Sequence, residues 1–200
     1  MVKDRMTSPA ITTTPETETR QALQTMYVHK IRRLPVVTER GDLLGIVTQR
    51  DLYEKGEAVT PVSAIMTAPP YTTGPDVPLV QAALLMRNLG VGALPVVERG
   101  RVVGIITESD IFDAFLELLG ANRAGTRLIV PLPDISGGVA RLLQALQPTG
   151  VPLTGLTTYV DGGRPSAIVT ADERDPRDLV RAIRAAGFEP TLISVQGTAA

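Results

Sequence analysis

The feature that most constrains the fold of this chain is an internal repeat within its first 120 residues. The matching segments are MTSP (6–9) with MTAP (66–69) and LPVV (34–37) with LPVV (94–97), each pair offset by 60 residues. Two copies of one sequence pattern fold into two similar structural units that pack on each other. We therefore expect residues 1–60 and 61–120 to form two related units.

Each repeat contains the same order of predicted elements. Apolar residues at spacings of three and four predict helices over residues 17–29 and 78–89. Two β-branched runs separated by a Gly-containing turn follow each helix and predict a hairpin. A second helix is expected to begin at the polar residues 49–51 and 108–110. Helices and hairpins in this order predict an α+β fold.

A threonine and an aspartate recur where the last predicted strand of each repeat gives way to a helix. They are Thr48 with Asp51, and Thr107 with Asp110. A helix start offers free backbone N–H groups and favours anions. The hydroxyl could donate to a phosphate oxygen while the carboxylate accepts from two sugar hydroxyls. The alternative is a pair of helix caps, each worth about 1 kcal/mol.

Composition and charge exclude several classes of function. The 20 Lys and Arg balance 21 Asp and Glu, so no overall field attracts nucleic acid or an anionic membrane. No apolar run approaches the roughly 18 residues that cross a bilayer, and no amino-terminal apolar run is present. The absence of Cys fits a reducing compartment. We expect a cytoplasmic protein without nucleic-acid or membrane partners.

The chain offers few groups for catalysis. It has one histidine, His29, no cysteine, and no phosphate-binding Gly-rich loop or nucleophile elbow. His29 lies at a predicted helix end and is expected to be a polar cap near the negative terminus, with a ligand contact as the alternative. We therefore expect no catalytic residues, no metal site and no required cofactor.

The repeated segments resemble a tandem pair of CBS motifs, which together form a Bateman module. The resemblance covers about residues 1–120. It implies two β-α-β-β-α units that are related by pseudo-two-fold symmetry and have two clefts between them. It also implies a regulatory role in which the clefts bind an adenine nucleotide such as AMP, ADP or ATP.

The same resemblance implies which residues contact the nucleotide. Thr48, Asp51, Thr107 and Asp110 are implied to contact phosphate and ribose. The walls of the base pocket and clefts are implied to include Ile11, Tyr71, Ala93, Pro35 and Pro95, with the segments before the two prolines. Tyr71 could stack on a base or fill the core.

The two repeats differ just before their LPVV segments. The first has Arg32 and Arg33, where the second has Gly92 and Ala93. In the family this segment of one unit approaches the ligand held by the other unit. The arginines are then expected to neutralise phosphate near Thr107 and Asp110, and the other cleft is expected to lack cations. A solvated surface pair is the alternative.

The second half of the chain has a different pattern. Residues 121–126 form a small, polar linker, and residues 127–196 predict the order strand, helix, strand, strand, helix, strand. This order is the ferredoxin-like βαββαβ plan. The segment resembles an ACT domain, which implies an effector site at Asp134, Gly137 and Gly138, commonly across a dimer interface. A dimerising or purely structural domain is the alternative.

Two functions remain open at this point. One is a sensor whose CBS clefts bind an adenine nucleotide. The other is a ligand-free oligomerisation module that regulates a partner enzyme or transporter. A homodimer is expected in both cases, with apolar helix faces covered by the second copy: Leu52, Ile111, Phe112 and Phe115. The domain order resembles bacterial acetoin-utilisation accessory proteins.

Overall fold

A computed structural model describes residues 1–54, 60–120 and 125–196, and the side chains as far as residue 193. The chain divides into two compact units, Met1–Asp113 and Ala114–Ala200. Most of the expected linker, residues 121–124, lies outside the described residues. Its expected last two positions, 125 and 126, belong to a strand instead. No helix in the described part of the chain is long and apolar enough to span a membrane.

The first unit contains the two repeats except for the end of their last helix, and each repeat has two helices around a hairpin. In the first repeat the elements are α1 (Thr19–His29), β1 (Arg33–Val37), β2 (Leu43–Thr48) and α2 (Gln49–Glu54). In the second they are α3 (Leu79–Leu89), β3 (Ala93–Glu98), β4 (Arg101–Thr107) and α4 (Glu108–Leu118). A short 3-10 turn precedes each set, at Val2–Asp4 and Val62–Ala64. Helices α1 and α3 begin two residues and one residue later than the sequence predicts, and α2 and α4 begin at the expected polar residues.

Both hairpins pair antiparallel with the same irregularity. The register shifts between Val36 and Val37 in the first and between Val96 and Val97 in the second. The expected first strand of each β-α-β-β-α unit is not a strand. It is reduced to a single parallel bridge, from Thr13 to Val36 and from Thr73 to Val96. The α+β class is confirmed, but each repeat has two regular strands rather than three.

The opening segment of each repeat pairs with the other repeat. Thr7 exchanges backbone hydrogen bonds with Ile105 of β4, at N–O distances of 2.9 and 3.0 Å. Thr67 pairs in the same way with Ile46 of β2. Each hairpin therefore gains a third pairing partner from the other half of the unit.

The hydrophobic cores cross the expected boundary at residues 60 and 61. Val62 is buried in the core of the first repeat, and Ile65 and Met66 pack against it. Val2 is buried in the core of the second repeat, with Met6 packed against it. Neither repeat can therefore complete its core from its own contiguous sequence.

The apolar helix residues expected at a dimer interface separate into two groups. Leu52 is 3% exposed and belongs to the first core, and Ile111 packs against the second core. Phe112 and Phe115 on α4 are 59% and 55% exposed. The expectation of a dimer face is therefore wrong for Leu52, because the core of its own chain covers it, whereas Ile111 is half-buried and keeps part of its surface exposed.

The second unit has the predicted order of elements. They are β5 (Gly125–Pro131), α5 (Ile135–Leu146), β6 (Leu153–Asp161), β7 (Arg164–Ala171), α6 (Arg177–Ala185) and β8 (Thr191–Gln196). The strands form one antiparallel sheet in the order β6-β7-β5-β8. Its core joins the two helices to one sheet face, with Leu128, Leu142 and Ile183 fully buried.

Candidate functional site

The two threonine–aspartate pairs occupy equivalent corners. Thr48 is the last residue of β2 and Asp51 lies in the first turn of α2. Thr107 and Asp110 have the same places at the end of β4 and in the first turn of α4. No loop separates strand from helix, so each hydroxyl and each carboxylate is held at a fixed corner.

Each pair forms a reciprocal capping arrangement. Asp51 Oδ2 accepts from the Thr48 N–H at 2.8 Å and from the Thr48 hydroxyl at 2.7 Å. The Asp51 N–H donates to Thr48 Oγ1 at 3.3 Å. The Thr107–Asp110 bonds measure 2.7, 2.7 and 3.4 Å. This is a capping box, in which two free N–H groups of a helix start are satisfied.

The capping bonds bear on one expectation about the threonines. Each hydroxyl donates to an aspartate, so it could donate to a phosphate oxygen only by breaking this capping bond. The carboxylates keep more capacity. Within the described residues, the second oxygens of Asp51 and Asp110 accept no hydrogen bond. A free carboxylate oxygen is an acceptor suited to a sugar hydroxyl.

Two open clefts lie beside these corners, and each is named here by its threonine. The Thr107 cleft has a volume of about 370 Å³ and the Thr48 cleft about 450 Å³. Both are within the range of small-molecule sites. The Thr107 cleft is lined by Thr7, Ile11, Lys30, Ile31, Arg32, Arg33, Ile105, Thr107, Ser109 and Asp110. The Thr48 cleft is lined by Arg32, Arg33, Ile46, Thr48, Gln49, Arg50, Thr67, Pro70, Tyr71 and residues 90–93.

The two clefts differ in their access to the aspartate. Asp110 lines the Thr107 cleft together with its threonine. Asp51 is not among the residues that line the Thr48 cleft, although its capping bonds are the same. Both carboxylates are half-buried, but among the described residues the Thr107 cleft is the one whose wall includes the aspartate together with its threonine.

Arg32 and Arg33 line both clefts. Their position beside Thr107 and Asp110 is the one expected from the sequence. They also line the Thr48 cleft, with Arg50, so the expectation that this cleft lacks cations is wrong. The reason is that the end of the α1–β1 connection and the first residue of β1 border both clefts, a relationship that a linear repeat does not reveal.

The other cations that line the clefts differ in whether they are already paired with a carboxylate. Lys30 lines the Thr107 cleft and is exposed. Arg50 of the Thr48 cleft donates to Glu54 Oε1 at 2.7 Å, and this hydrogen bond raises the pKa of Arg50. Among the described residues, neither Arg32 nor Arg33 forms an ion pair. Glu108 Oε2 nevertheless lies near the guanidinium of Arg33, beside Gly92.

Gly92 makes room for the side chain of Arg33. A Cβ atom at position 92 would collide with Nη2 of Arg33, and would lie 2.7 Å from Glu108 Oε2. Gly92 lines the Thr48 cleft. Arg33 reaches this cleft because the second repeat has glycine at the position where the first repeat has Arg32.

The other residues expected in the pocket divide into lining and buried groups. Ile11 lines the Thr107 cleft, and Tyr71 and Ala93 line the Thr48 cleft, where Tyr71 is 54% exposed. Pro35 and Pro95 line neither cleft, because both are buried in the middle of strands β1 and β3. The segments before the prolines form the cleft walls instead. His29 ends α1, is exposed and lines neither cleft.

Sequence reasoning missed six polar residues of the clefts, which are Thr7, Lys30, Gln49, Arg50, Thr67 and Ser109. Thr7 and Thr67 line the Thr107 and Thr48 clefts respectively. The repeated Met-Thr dipeptide was the available signal for both. Lys30 and Arg50 gave no signal, because lone surface cations are common in any sequence.

In the second unit, the expected effector residues have local structural roles. Asp134 caps α5 by accepting the Gly137 N–H at 2.6 Å. Gly138 is buried, and a Cβ there would lie 3.0 Å from the Cβ of Leu132. The aspartate and this glycine are explained by helix capping and by close packing of α5 on the end of β5.

The described residues hold no cluster of three or more His, Asp or Glu side chains that could hold a metal ion.

Comparison with known families identifies the first unit. The sequence model of the CBS domain matches residues 2–57 and 62–117. The chain belongs to the CBS domain family. The two CBS domains coincide with the two repeats, and the pair of corners and clefts described above lies within them.

Similar curated proteins include both small CBS proteins and large enzymes. A CBS domain-containing protein of Dictyostelium discoideum is 36% identical over 135 residues, which are 60% of this chain and 93% of that protein. Inosine-5'-monophosphate dehydrogenase of Korarchaeum cryptofilum is 39% identical over 103 residues, 51% of this chain but only 21% of the enzyme. The similarity to the enzyme is therefore confined to a fifth of its length.

Solved structures with similar folds include complexes with adenosine ligands. The CBS domain pair of protein MJ0100, bound to 5'-methylthioadenosine and S-adenosyl-L-methionine, is 33% identical with a TM-score of 0.55; the match covers 57% of this chain and 94% of that one. CBSX2 of Arabidopsis thaliana in complex with AMP is 28% identical with a TM-score of 0.53, covering 58% and 96%. A candidate acetoin utilization protein (AcuB) from Vibrio cholerae is 33% identical with a TM-score of 0.55, covering 60% and 92%.

Proposed function

We propose that this chain is a non-catalytic regulatory protein whose CBS clefts bind a phosphorylated adenosine ligand, and whose second unit is an ACT-like module. The observation that carries the proposal is the Thr107 cleft. It joins an aspartate with a free carboxylate oxygen to three cations, Lys30, Arg32 and Arg33. A carboxylate suits a ribose diol, and a guanidinium fork suits phosphate.

The charge of the clefts favours a nucleotide over a sulfonium ligand. The related CBS pairs bind AMP in one case and 5'-methylthioadenosine with S-adenosyl-L-methionine in another. In this chain three cations and one carboxylate line the Thr107 cleft. A phosphate gains from this charge, whereas a cationic sulfonium is repelled by it. The expected order of affinity is therefore AMP above adenosine, and adenosine above S-adenosyl-L-methionine.

The Thr107 cleft is the stronger of the two sites in this proposal. Only there does an aspartate line the cleft with its threonine. The Thr48 cleft offers the exposed ring of Tyr71 for stacking, but no carboxylate of the described residues lines it. One nucleotide per chain binds at lower concentration, and a second binds less well.

Thermal unfolding with a ligand panel tests the proposal. The panel contains AMP, ADP, ATP, NAD, adenosine and S-adenosyl-L-methionine, each at several concentrations. A ligand that binds the folded protein raises Tm by mass action, and the rise grows with concentration. The proposal predicts a rise with at least one of the phosphorylated ligands and a smaller or no rise with S-adenosyl-L-methionine. No rise with any ligand would contradict it.

The topology of the second unit supports the ACT-like assignment. Its sheet order, β6-β7-β5-β8, is that of a split β-α-β plan with both helices on one face. Its role in this proposal is dimerisation or the binding of a second effector. Light scattering of the full chain, with and without a panel of amino acids, distinguishes a constant dimer from an assembly that changes with effector.

A ligand-free oligomerisation module is the second candidate function. The capping boxes favour it, because they explain the repeated threonines and aspartates without a ligand. The exposed Phe112 and Phe115 on α4 favour an assembly surface. A chain that is dimeric in light scattering and shows no Tm change with the ligand panel would support this function instead.

The regulated process is proposed from similarity alone. The Vibrio cholerae relative carries an acetoin utilization name, and the CBS-containing dehydrogenase shows that such domains also occur joined to an enzyme. Regulation of a partner enzyme of acetoin use is therefore the first process to test. Deletion of the gene in its host, followed by growth on acetoin and on glucose, gives the comparison; equal growth would contradict this assignment.

A further inference from the structure

Among the described residues, the two clefts share one pair of arginines that form no ion pair. Arg32 and Arg33 each line the Thr107 cleft and the Thr48 cleft. The equivalent positions of the second repeat hold Gly92 and Ala93, so no second pair is supplied from there. The asymmetry between the repeats therefore leaves two sites with a shared set of cations.

Each cleft also has one cation that does not line the other cleft, and these two cations differ in whether a carboxylate already binds them. The Thr107 cleft has Lys30 in addition to the shared pair. The Thr48 cleft has Arg50, whose guanidinium is already engaged by Glu54. A phosphate in the Thr48 cleft therefore depends mainly on Arg32 and Arg33.

We propose that the shared arginines couple the two clefts negatively, so that a phosphorylated nucleotide in the Thr107 cleft weakens the binding of a second one in the Thr48 cleft. This inference depends on the nucleotide binding proposed above. The first phosphate draws the Arg32 and Arg33 guanidinium groups towards itself and cancels their charge. The second phosphate then meets a cleft with less positive charge and a nearby anion. A neutral nucleoside needs neither arginine and binds without this coupling.

The size of the effect follows from typical couplings between sites. Coupling between two ligands commonly changes an affinity by about 5-fold to 150-fold. Two phosphates that compete for the same pair of cations belong in this range. We expect about a tenfold loss of AMP affinity in the Thr48 cleft when the Thr107 cleft is filled.

One isoleucine in each cleft can report ligand binding in that cleft alone. Ile11 lines only the Thr107 cleft and Ile46 only the Thr48 cleft. In full-length protein with 13C-labelled Ile methyl groups, NMR titration with AMP gives, for each of the two isoleucines, the AMP concentration at which its signal is half-shifted. This concentration is the midpoint of that probe. The same titration with adenosine gives the reference without phosphate.

A matched pair of substitutions blocks the clefts one at a time. Thr7 and Thr67 are equivalent in the repeats, are exposed, and line the Thr107 and Thr48 clefts respectively. Thr7→Trp is designed to fill the Thr107 cleft. Thr67→Trp is designed to fill the Thr48 cleft and serves as the control that Ile46 reports binding there. With Thr7→Trp, the AMP midpoint at Ile46 is expected to fall about tenfold, and the adenosine midpoint is expected to stay unchanged.

A second variant links this change to the shared cations. In an Arg33→Gln background, the effect of Thr7→Trp on the Ile46 midpoint is expected to shrink. Arg87→Gln removes the same charge from an exposed position outside both clefts and is expected to leave the effect intact.

The outcomes separate this inference from the function on which it depends. AMP binding at both probes with an Ile46 midpoint that Thr7→Trp does not change overturns the coupling but leaves nucleotide sensing in place. An equal change with adenosine also overturns it, because the coupling then does not pass through phosphate. No response of either probe to AMP overturns both proposals.

Discussion

The guanidinium group of Arg33 lies where the side chain of residue 92 would begin. The two residues are 59 positions apart in sequence and belong to different CBS domains. Because Gly92 has no Cβ, the arginine can cross from its own repeat to the wall of the Thr48 cleft. This contact gives the first of four predictions.

Gly92→Ala is expected to displace Arg33 from the wall of the Thr48 cleft and to weaken AMP binding in that cleft about tenfold, the loss expected for about one charge-assisted hydrogen bond. Isothermal titration calorimetry with AMP measures the change. The control is a double-mutant cycle with Arg33→Ala. If Gly92 acts through the arginine, Gly92→Ala has no further effect in the Arg33→Ala protein; an equal loss in both backgrounds would refute this role.

Asp110→Ala and Asp51→Ala separate capping from ligand binding. Each removes the acceptor of one capping box, so each is expected to lower the free energy of unfolding by about 1 kcal/mol. Only Asp110 lines a cleft. Asp110→Ala should therefore abolish most of the AMP-induced rise in Tm, whereas Asp51→Ala should keep it. An equal loss of the AMP-induced rise in Tm in the two variants would show that the aspartates act through capping and not through contact with the ligand.

Gly104→Ala is expected to destabilise the CBS pair. A Cβ at this position would lie 2.7 Å from Met6 Sδ and 2.8 Å from the Thr7 carbonyl oxygen. The carbonyl belongs to the backbone pairing between the repeats and cannot move aside freely. Urea unfolding should show a loss of about 1–3 kcal/mol, typical of overpacking.

Gly74→Ala is the matched control for this substitution. Its Cβ would meet only Val77 Cγ2, at 3.7 Å, an ordinary contact distance. The change in the free energy of unfolding is expected to stay within about 0.5 kcal/mol. An equal loss in the two variants would mean that contact between the repeats is not the cause.

Phe112→Asp combined with Phe115→Asp is expected to produce folded monomers if α4 forms the proposed dimer interface. Both rings are more than half exposed, so their loss costs the monomer little. Light scattering gives the mass, and circular dichroism checks the fold. Leu52→Asp is the contrast, since this residue is 3% exposed and its substitution should unfold the first CBS domain. A double variant that remains a dimer would exclude this face.

Much of the local structure could be predicted from the sequence. The helix after each LPVV hairpin, the Thr–Asp corner and the six elements of the second unit follow from short-range patterns. Apolar periodicity, turn residues and cap residues act over a few positions, so they are visible in the printed chain.

The residues that line the clefts were predicted less completely than the helices and strands. Pro35 and Pro95 were expected in the cleft walls but lie in the middle of paired strands. Arg32 and Arg33 were expected in one cleft and line two. Which side of a strand or loop faces a cleft depends on how the two repeats pack, and no local pattern records that packing.

The sequence by itself determined the duplication, the order of the elements and the positions of the hydroxyl and carboxylate pairs. Only the tertiary structure decided that Thr7 pairs with β4 and Thr67 with β2, and that Asp110 but not Asp51 lines a cleft. The physical reason is that each repeat leaves its core and its sheet incomplete. The apolar Val2, Met6, Val62 and Met66 are covered only when the two repeats exchange these segments, and that exchange sets the clefts.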